Sequence, residues 1–333
     1  MWKYLLVIFI TIQSSSWSSA QIKPEVKQYM DSLPAKLPSI GNLAVHIQQR
    51  FVDEEDIAAA AYYWIAKNIV FDAKEHFAKK KKFTYNFRYK NQDEKKQKIQ
   101  KVNIGLAEEA FKRKKAVAKG YALLFKKLCN NAGLECEVVE GSSKQTFKHI
   151  GRKPGRSNHN WNVVNIHKEW YLVDVTWGAG ILNEKNRSFI PRYNETFFMT
   201  KPSSFFLNHY PKNKKWLLCN RDEEEFTFLP LFHPSYLRTG ILLESPSLGL
   251  ITPMEGDTIQ ISFKRQYPTD SHEPAFSYAY EEDRKPRFLD IHTNNDTIKL
   301  FIPTKKKRYD YLTIYDDDHP LVSFKVKQTR MIH

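Results

Sequence analysis

Ala116-Val117-Ala118-Lys119-Gly120-Tyr121-Ala122, His159-Asn160-Trp161-Asn162 and Trp170-Tyr171-Leu172-Val173-Asp174-Val175-Thr176-Trp177 are the three segments on which the fold turns. The first opens a helix. Tyr121, Leu124, Phe125, Leu128, Cys129 and Ala132 recur on one face between residues 118 and 131, and Gly133 is a good stop. The other two segments belong to alternating, β-like runs at residues 161–166 and 170–175, joined by the turn-like His167-Lys168-Glu169. A third run covers residues 135–140. Antiparallel strands are expected. Upstream, Asp53-Glu54-Glu55-Asp56 is an acidic helix start, which suits the positive end of a helix dipole. Ile57, Ala60, Ala61, Trp64 and Ile65 then follow at helical spacing, and residues 26–50 also read as helical. Helices first and a sheet second describe an α+β fold.

Past residue 225 the texture changes. Strand-like segments recur at 240–244, 258–264, 275–280, 297–302, 311–315 and 321–327, separated by turn signals such as Asn294-Asn295-Asp296. That spacing predicts a small all-β sandwich. The expected organisation is therefore a leader at 1–20, an α+β domain at 22–220 and a β-sandwich domain at 225–333.

The leader reads as a signal peptide. Lys3 precedes an apolar core at residues 4–12, too short to cross a hydrocarbon layer of roughly 30 Å as a helix. Ser18 and Ala20 fit cleavage before Gln21, so a secreted or periplasmic location is expected, with no membrane span in the remaining chain.

Composition sets outer bounds. With 22 Phe, 17 Tyr and 7 Trp, general disorder is excluded. A formal charge of +15 favours polyanionic neighbours without choosing among them. Residues 74–101 alternate cations with Phe83, Tyr85, Phe87 and Tyr89, a pattern that single-stranded nucleic acid can use. It reads better as a solvated loop with a few anchoring aromatics. No nucleic-acid-binding motif accompanies it, so no specific nucleic acid is expected. Cys129, Cys136 and Cys219 are too few for a disulfide scaffold. No His/Cys/Asp/Glu cluster has ligand spacing along the chain, so neither metal nor other cofactor is expected.

The three opening segments also carry chemistry. A helix N-terminus lowers a thiol pKa and stabilises developing negative charge. A His on an adjacent strand could take the proton, and an Asp on the next strand could orient that His. The chain here resembles the transglutaminase-like superfamily, in a bacterial secreted branch similar to the kyphoscoliosis-peptidase group. That family's pattern runs G/A-V-C-x-G-Y-A, then H-x-W-N, then W-Y-L-V-D-x-T-W. Residues 61–69 resemble its preceding helix. Residues 197–202, His209-Tyr210-Pro211 and Trp216-Leu217-Leu218 resemble the segment after its core. The resemblance implies a papain-like cysteine-protease core over roughly residues 45–220. It also implies a catalytic role for the positions of Ala118, His159 and Asp174.

The nucleophile is lost at Ala118, because a methyl group has no lone pair with which to attack a carbonyl. Val117, Lys119 and Gly120 offer no thiol or hydroxyl. Cys129 lies about 16 Å further along the helix and reads as core packing, as does Cys136. Asn160, Trp161 and Trp177 are candidates for the substrate groove, with core packing the alternative for the two indoles. His209 reads as a structural residue of a His-Tyr-Pro turn. The leading expectation is a catalytically inactive protein that binds peptide or protein, cell-wall peptide included. A second reading is an active thiol peptidase or transglutaminase whose Cys was engineered to Ala. A third is a polyanion-binding protein that uses residues 74–101 and 305–308.

Overall fold

The computed structural model describes residues 21–78, 87–183, 186–254, 256–266, 274–289, 291–305 and 309–329. The expected leader, the run 79–82 with Phe83 and Tyr85, and residues 306–308 lie outside the described residues. The fold mixes helix and sheet, 35% and 31% of residues, with a sheet-rich C-terminal region.

The N-terminal segment that reads as one helix is two, α1 (Pro24–Ser32) and α2 (Ile40–Arg50). Pro34 and Pro38 fall between them. Each lacks an N–H and clashes with the preceding turn, so the helix restarts only where Ser39 caps it by accepting from the Asn42 amide. Helix α3 (Glu54–Asn68) starts as its acidic signal indicates, with Asp53 accepting from the Glu55 and Asp56 amides. Its residues from Ile57 to Ala66 are all buried, so it is the central helix of the first core.

After α3 come strand β1 (Val70–Phe71) and the short α4 (Ala73–His76). The next element departs from expectation. Residues 92–113, the first ten of which fall in the stretch read as a solvated loop, form α5 (Gln92–Arg113), capped by Asn91. Its Lys, Glu and Gln residues are good helix formers. Its only buried positions, Leu106, Ala107, Ala110 and Phe111, cluster near the C-terminal end. The first half therefore carries no apolar stripe for periodicity to detect.

Strand β2 (Lys115–Ala116) pairs in parallel with β1 and delivers the chain to α6 (Ala118–Asn131). Helix α6 packs against the sheet through β3 (Cys136–Ser143) and β4 (His159–Ile166). Strand β4 returns to β5 (Glu169–Val173) through His167 and Lys168, both with positive φ. That is the two-residue turn whose twist matches a hairpin. Short helix α7 (Val175–Ala179) follows, then the ribbon β6 (Gly180–Asn183) and β7 (Ser188–Pro191). Helix α8 (Pro202–Phe205) leads to β8 (His209–Pro211), which completes an antiparallel sheet of order β5-β4-β3-β8. Gly141 allows this closure. A Cβ there would lie 2.3 Å from the Trp161 ring and 2.4 Å from the Tyr210 carbonyl.

Helix α9 (Glu223–Phe228) and β9 (Leu231–Phe232) then enter the sheet-rich region. One sheet there has the order Ile241–Ser245, Thr258–Arg265, Thr297–Pro303, His292–Asn294. The other has the order Leu250–Ile251, His319–Lys327, Tyr309–Asp316, Phe276–Tyr280, Arg287–Phe288, with β9 paired to His319–Lys327. Their inner faces share one core, marked by the stacked rings of Phe263 and Phe276. The long strands fall where alternation places them.

That core also takes in Phe206, Tyr210, Phe226 and Leu229. A buried amine bridges the junction. Lys144, 1% exposed, follows β3 and donates from Nζ to the carbonyls of Phe226 and Leu229 at 2.7 Å each, with Thr227 O at 3.4 Å. Those carbonyls are the open C-terminal end of α9, where a cation is favoured.

Candidate active-site cleft

Ala118 is the first residue of α6, after Val117, whose side chain provides no cap. Gly120 fits there closely, since a Cβ would come within 2.7 Å of the Ala116 methyl. A pocket of about 310 Å³ opens at this helix start. Ala116 through Gly120 line one side, Asn158 and Asn160 another, and His76, Glu109 and Arg113 a third. The charges on its wall are largely paired. Arg113 bonds Glu109 at 2.8 Å and reaches Asp72 at 3.4 Å, and Lys115 reaches Asp72 at 3.5 Å. The pocket thus combines an apolar floor with charges of both signs, although the chain as a whole is strongly basic.

His159 is the first residue of β4, and its Nε2 lies 2.6 Å from Asp174 Oδ2. Strand β5 ends at Val173, one residue short of Asp174, so the expectation of a continuous strand through Val175 needs correction. Asp174 instead caps α7, its Oδ1 accepting from the Trp177 amide at 3.1 Å. A short polar side chain at this break competes with the strand ladder and starts a helix.

A third group joins the pair. His209 Nε2 lies 3.1 Å from the same Asp174 oxygen. All three side chains are buried. The His209 ring stacks on Phe205 at 4.0 Å and meets Trp177 at 4.7 Å. Its Nδ1 is buried and makes no hydrogen bond of good geometry among the described residues, although the Phe205 backbone nearby helps to raise the ring's pKa against burial. Such an atom costs about 1–3 kcal/mol, a cost the Nε2 bond to a carboxylate can offset. Sequence reading made His209 a structural turn residue. The one available signal was the position of His209-Tyr210-Pro211 in the segment that resembles the family.

Burial alone would raise the Asp174 pKa. The two imidazoles outweigh it and hold the carboxyl well below the usual carboxylate range. Burial lowers the His209 pKa, against an opposing pull from Asp174. The cluster at neutral pH is therefore an ionised carboxylate that accepts from His209 in its neutral form and from His159. His159 keeps Nδ1 as the ring nitrogen not used by Asp174. Such a pair can accept and hold a proton, but the methyl of Ala118 cannot attack.

The three ligand atoms also lie within 4.8 Å of one another, so His159, Asp174 and His209 could hold a metal ion. Their separation along the chain hides this grouping from a search by spacing. Contacts of 2.6 and 3.1 Å onto one oxygen are hydrogen-bond lengths. We read the cluster as a proton network.

The remaining candidates separate. Asn160 lines the pocket beside Ala118. Trp177 is half-buried, its ring 5.9 Å from His159. Trp161 is 1% exposed and packs in a core with Val139, Val163, Leu172, Phe197 and Phe205, away from the pocket lining. Cys129 and Cys136 are buried in the first core, where burial pushes the Cys136 thiol well up.

A helix-start position, a strand His and a capping Asp thus sit in one α+β unit. Residues 42–175 match the sequence profile of the transglutaminase-like superfamily. The chain carries a transglutaminase-like domain. Among its curated relatives are the kyphoscoliosis peptidases of Mus musculus and Homo sapiens. Each is 29% identical over 199 residues, which is 59% of this chain and 29% of the relative. Hillarin of Drosophila melanogaster is 31% identical over 166 residues, 46% of this chain and 20% of the relative. The chain thus spans less than a third of the length of these relatives. A solved structure described as a TGase overlaps 48% of this chain and 36% of its own at 18% identity, with a TM-score of 0.28. The class rests on the sequence match.

Proposed function

We propose that this chain is a non-catalytic, transglutaminase-like binding protein that holds a peptide or protein segment in the cleft at Ala118. The observation that carries this reading is the methyl side chain at the start of α6, where the family's nucleophile falls, in a chain that keeps the His159–Asp174 pair. The name of two of its relatives, kyphoscoliosis peptidase, supports a peptide ligand. So does the pocket lining, which offers paired charges of both signs and the side chain of Asn160. A peptide presents matching donors, acceptors and charges, whereas a polyanion presents one sign only. The signal-peptide reading of residues 1–20 places this role outside the cytoplasm, where cell-wall peptides are candidate ligands. We propose residues 22–220 and 225–333 as its two units.

The test is binding of a peptide library, cell-wall stem peptides included, to the natural chain and to Asn160→Trp, which would fill the pocket. Peptides retained by the first and lost by the second are the expected result. Equal retention by both would place binding elsewhere and end this reading.

A second reading, an acyl-transfer enzyme with its Cys replaced, is favoured by the retained His159–Asp174 pair. Peptide hydrolysis or amine transfer by Ala118→Cys would support it.

A further inference from the structure

The geometry points to His209 as a positioning residue of this site. It anchors Asp174 through the same carboxylate oxygen that His159 uses, so that the His159 ring is held with Nε2 on Asp174 and Nδ1 left for other partners. The inference rests on the reading that His159 and Asp174 form the working pair.

A carboxylate has two oxygens and several acceptor directions. A single hydrogen bond from His159 would leave Asp174 free to rotate about its side-chain torsions. Here Oδ1 is fixed by the Trp177 amide, and Oδ2 lies between two imidazole Nε2 atoms at 2.6 and 3.1 Å. Two donors on one oxygen fix both its position and its lone-pair use. They also fix the tautomers. With Asp174 ionised, each neutral ring facing it must carry its proton on Nε2, because a bare nitrogen would meet a carboxylate lone pair.

His209 is itself held in place. It begins β8, where it pairs with Ser143 of β3, and its ring stacks on Phe205. The adjacent Asn208 donates to the Phe232 carbonyl in β9, and its own carbonyl accepts from the Lys144 amide. Strand β9 is paired to His319–Lys327. His209 thus carries positional information from the sheet-rich region into the cleft. A chain selected only for packing could fill this apolar corner with Phe or Leu. An imidazole aimed at the buried carboxylate of Asp174 indicates a polar purpose.

The experiment uses the full natural chain with nitrogen-15-labelled histidine and reads ring tautomers by long-range proton–nitrogen correlation at neutral pH. His209→Gln and His159→Gln assign the two signals. Both rings are expected as the Nε2–H tautomer, with slowly exchanging Nε2 protons. In His209→Phe, which keeps the bulk and removes the donor, the His159 Nε2 proton should exchange about tenfold faster. His209→Gln can place an N–H near Asp174 and should largely restore slow exchange. Finding His209 as the Nδ1–H tautomer would overturn the inference. So would unchanged exchange at His159 in His209→Phe. If His209→Phe fails to fold, the tautomer of the natural chain and the exchange rate in His209→Gln still decide. Peptide retention is not read in these spectra. A failed binding test would leave this result standing, and the reverse also holds.

Discussion

Two buried charges organise this molecule, and they are answered in different ways. Asp174 in the cleft is met by two imidazoles and one amide. Lys144 at the junction with the sheet-rich region is met by backbone carbonyls of the residues that end α9. Both are essentially out of contact with solvent. Imidazoles titrate and exchange protons, so the first arrangement can take part in chemistry. Carbonyls do neither, so the second is a strut. A buried charge marks a functional site only when its partners can themselves change state.

The contrast can be broken at the strut first. Lys144→Ala removes the donor from buried carbonyls and leaves a void, and should cost about 4 kcal/mol by urea unfolding. Lys144→Met keeps most of the volume and should cost clearly less. A negligible loss in both would mean that α9 and the first core are joined by apolar packing alone. The same contacts bear on the proposed boundary near residue 225. A chain ended there loses the partners of Lys144 and uncovers Phe206 and Tyr210, so it should melt well below the full chain. A truncated chain as stable as the full one would make the two units independent.

At the cleft, Asp174→Asn leaves the two imidazoles without an ionised acceptor and loosens the cap of α7. A loss of about 3 kcal/mol is expected in the same assay. Peptide retention should fall as well, which the strut variants should not cause if they fold.

Restoring a nucleophile sharpens the chemical side. Ala118→Cys places a thiol at a helix N-terminus in a chain that retains the His159–Asp174 pair, so its pKa should fall below the free value of about 8.5. At a pH of about 6, a small alkylating agent should modify it on the order of a hundredfold faster than the buried Cys129 and Cys136. Adding His159→Ala should slow that reaction. Equal rates with and without His159 would show that no thiol–imidazole pair forms.

The smallest effect is the pH dependence. Burial lowers Lys144 from 10.5 to about 7, although the carbonyls and the end of α9 favour its charged form. Between those values the unfolded chain holds a proton that the folded chain has released, so stability should rise as pH rises from about 7. Lys144→Met should flatten that rise. Asp174 works in a separate window. Its folded pKa lies below 3.8, so its contribution is present above 3.8 and is lost as pH falls through the folded value. His209, lowered from 6.5, adds to the loss on acidification, because the unfolded ring takes up a proton first. Melting temperatures of the natural chain and the two variants from pH 3 to about 10 would separate these windows.

What the chain announces locally and what only folding assembles divide by the range of the interaction. Helix α6 was legible because its apolar stripe and stop signal lie within one stretch. The hairpin of β4 and β5 was legible because its turn joins neighbours, and it brings His159 to 2.6 Å from Asp174, just past its second strand. The amphipathic strands of the sheet-rich region were legible because side-chain direction alternates along a strand whatever it pairs with. Less survived where the signal was weak or interrupted. Helix α5 hides its type because its first half buries nothing, and Pro34 and Pro38 divide a segment whose composition alone reads as continuous helix. Trp161 and Trp177 look alike in the motif, and their rings lie 6.2 and 5.9 Å from His159, yet only Trp161 is fully buried, since strand register and the cap at Asp174 decide how deep each sits. His209 and Lys144 were out of reach altogether. Their partners lie 35 and 82–85 residues away, and they meet only once β3 has paired with β8 and α9 has docked behind them. Local propensity is a property of one segment, whereas the answer to a buried charge is a property of where two segments come to rest.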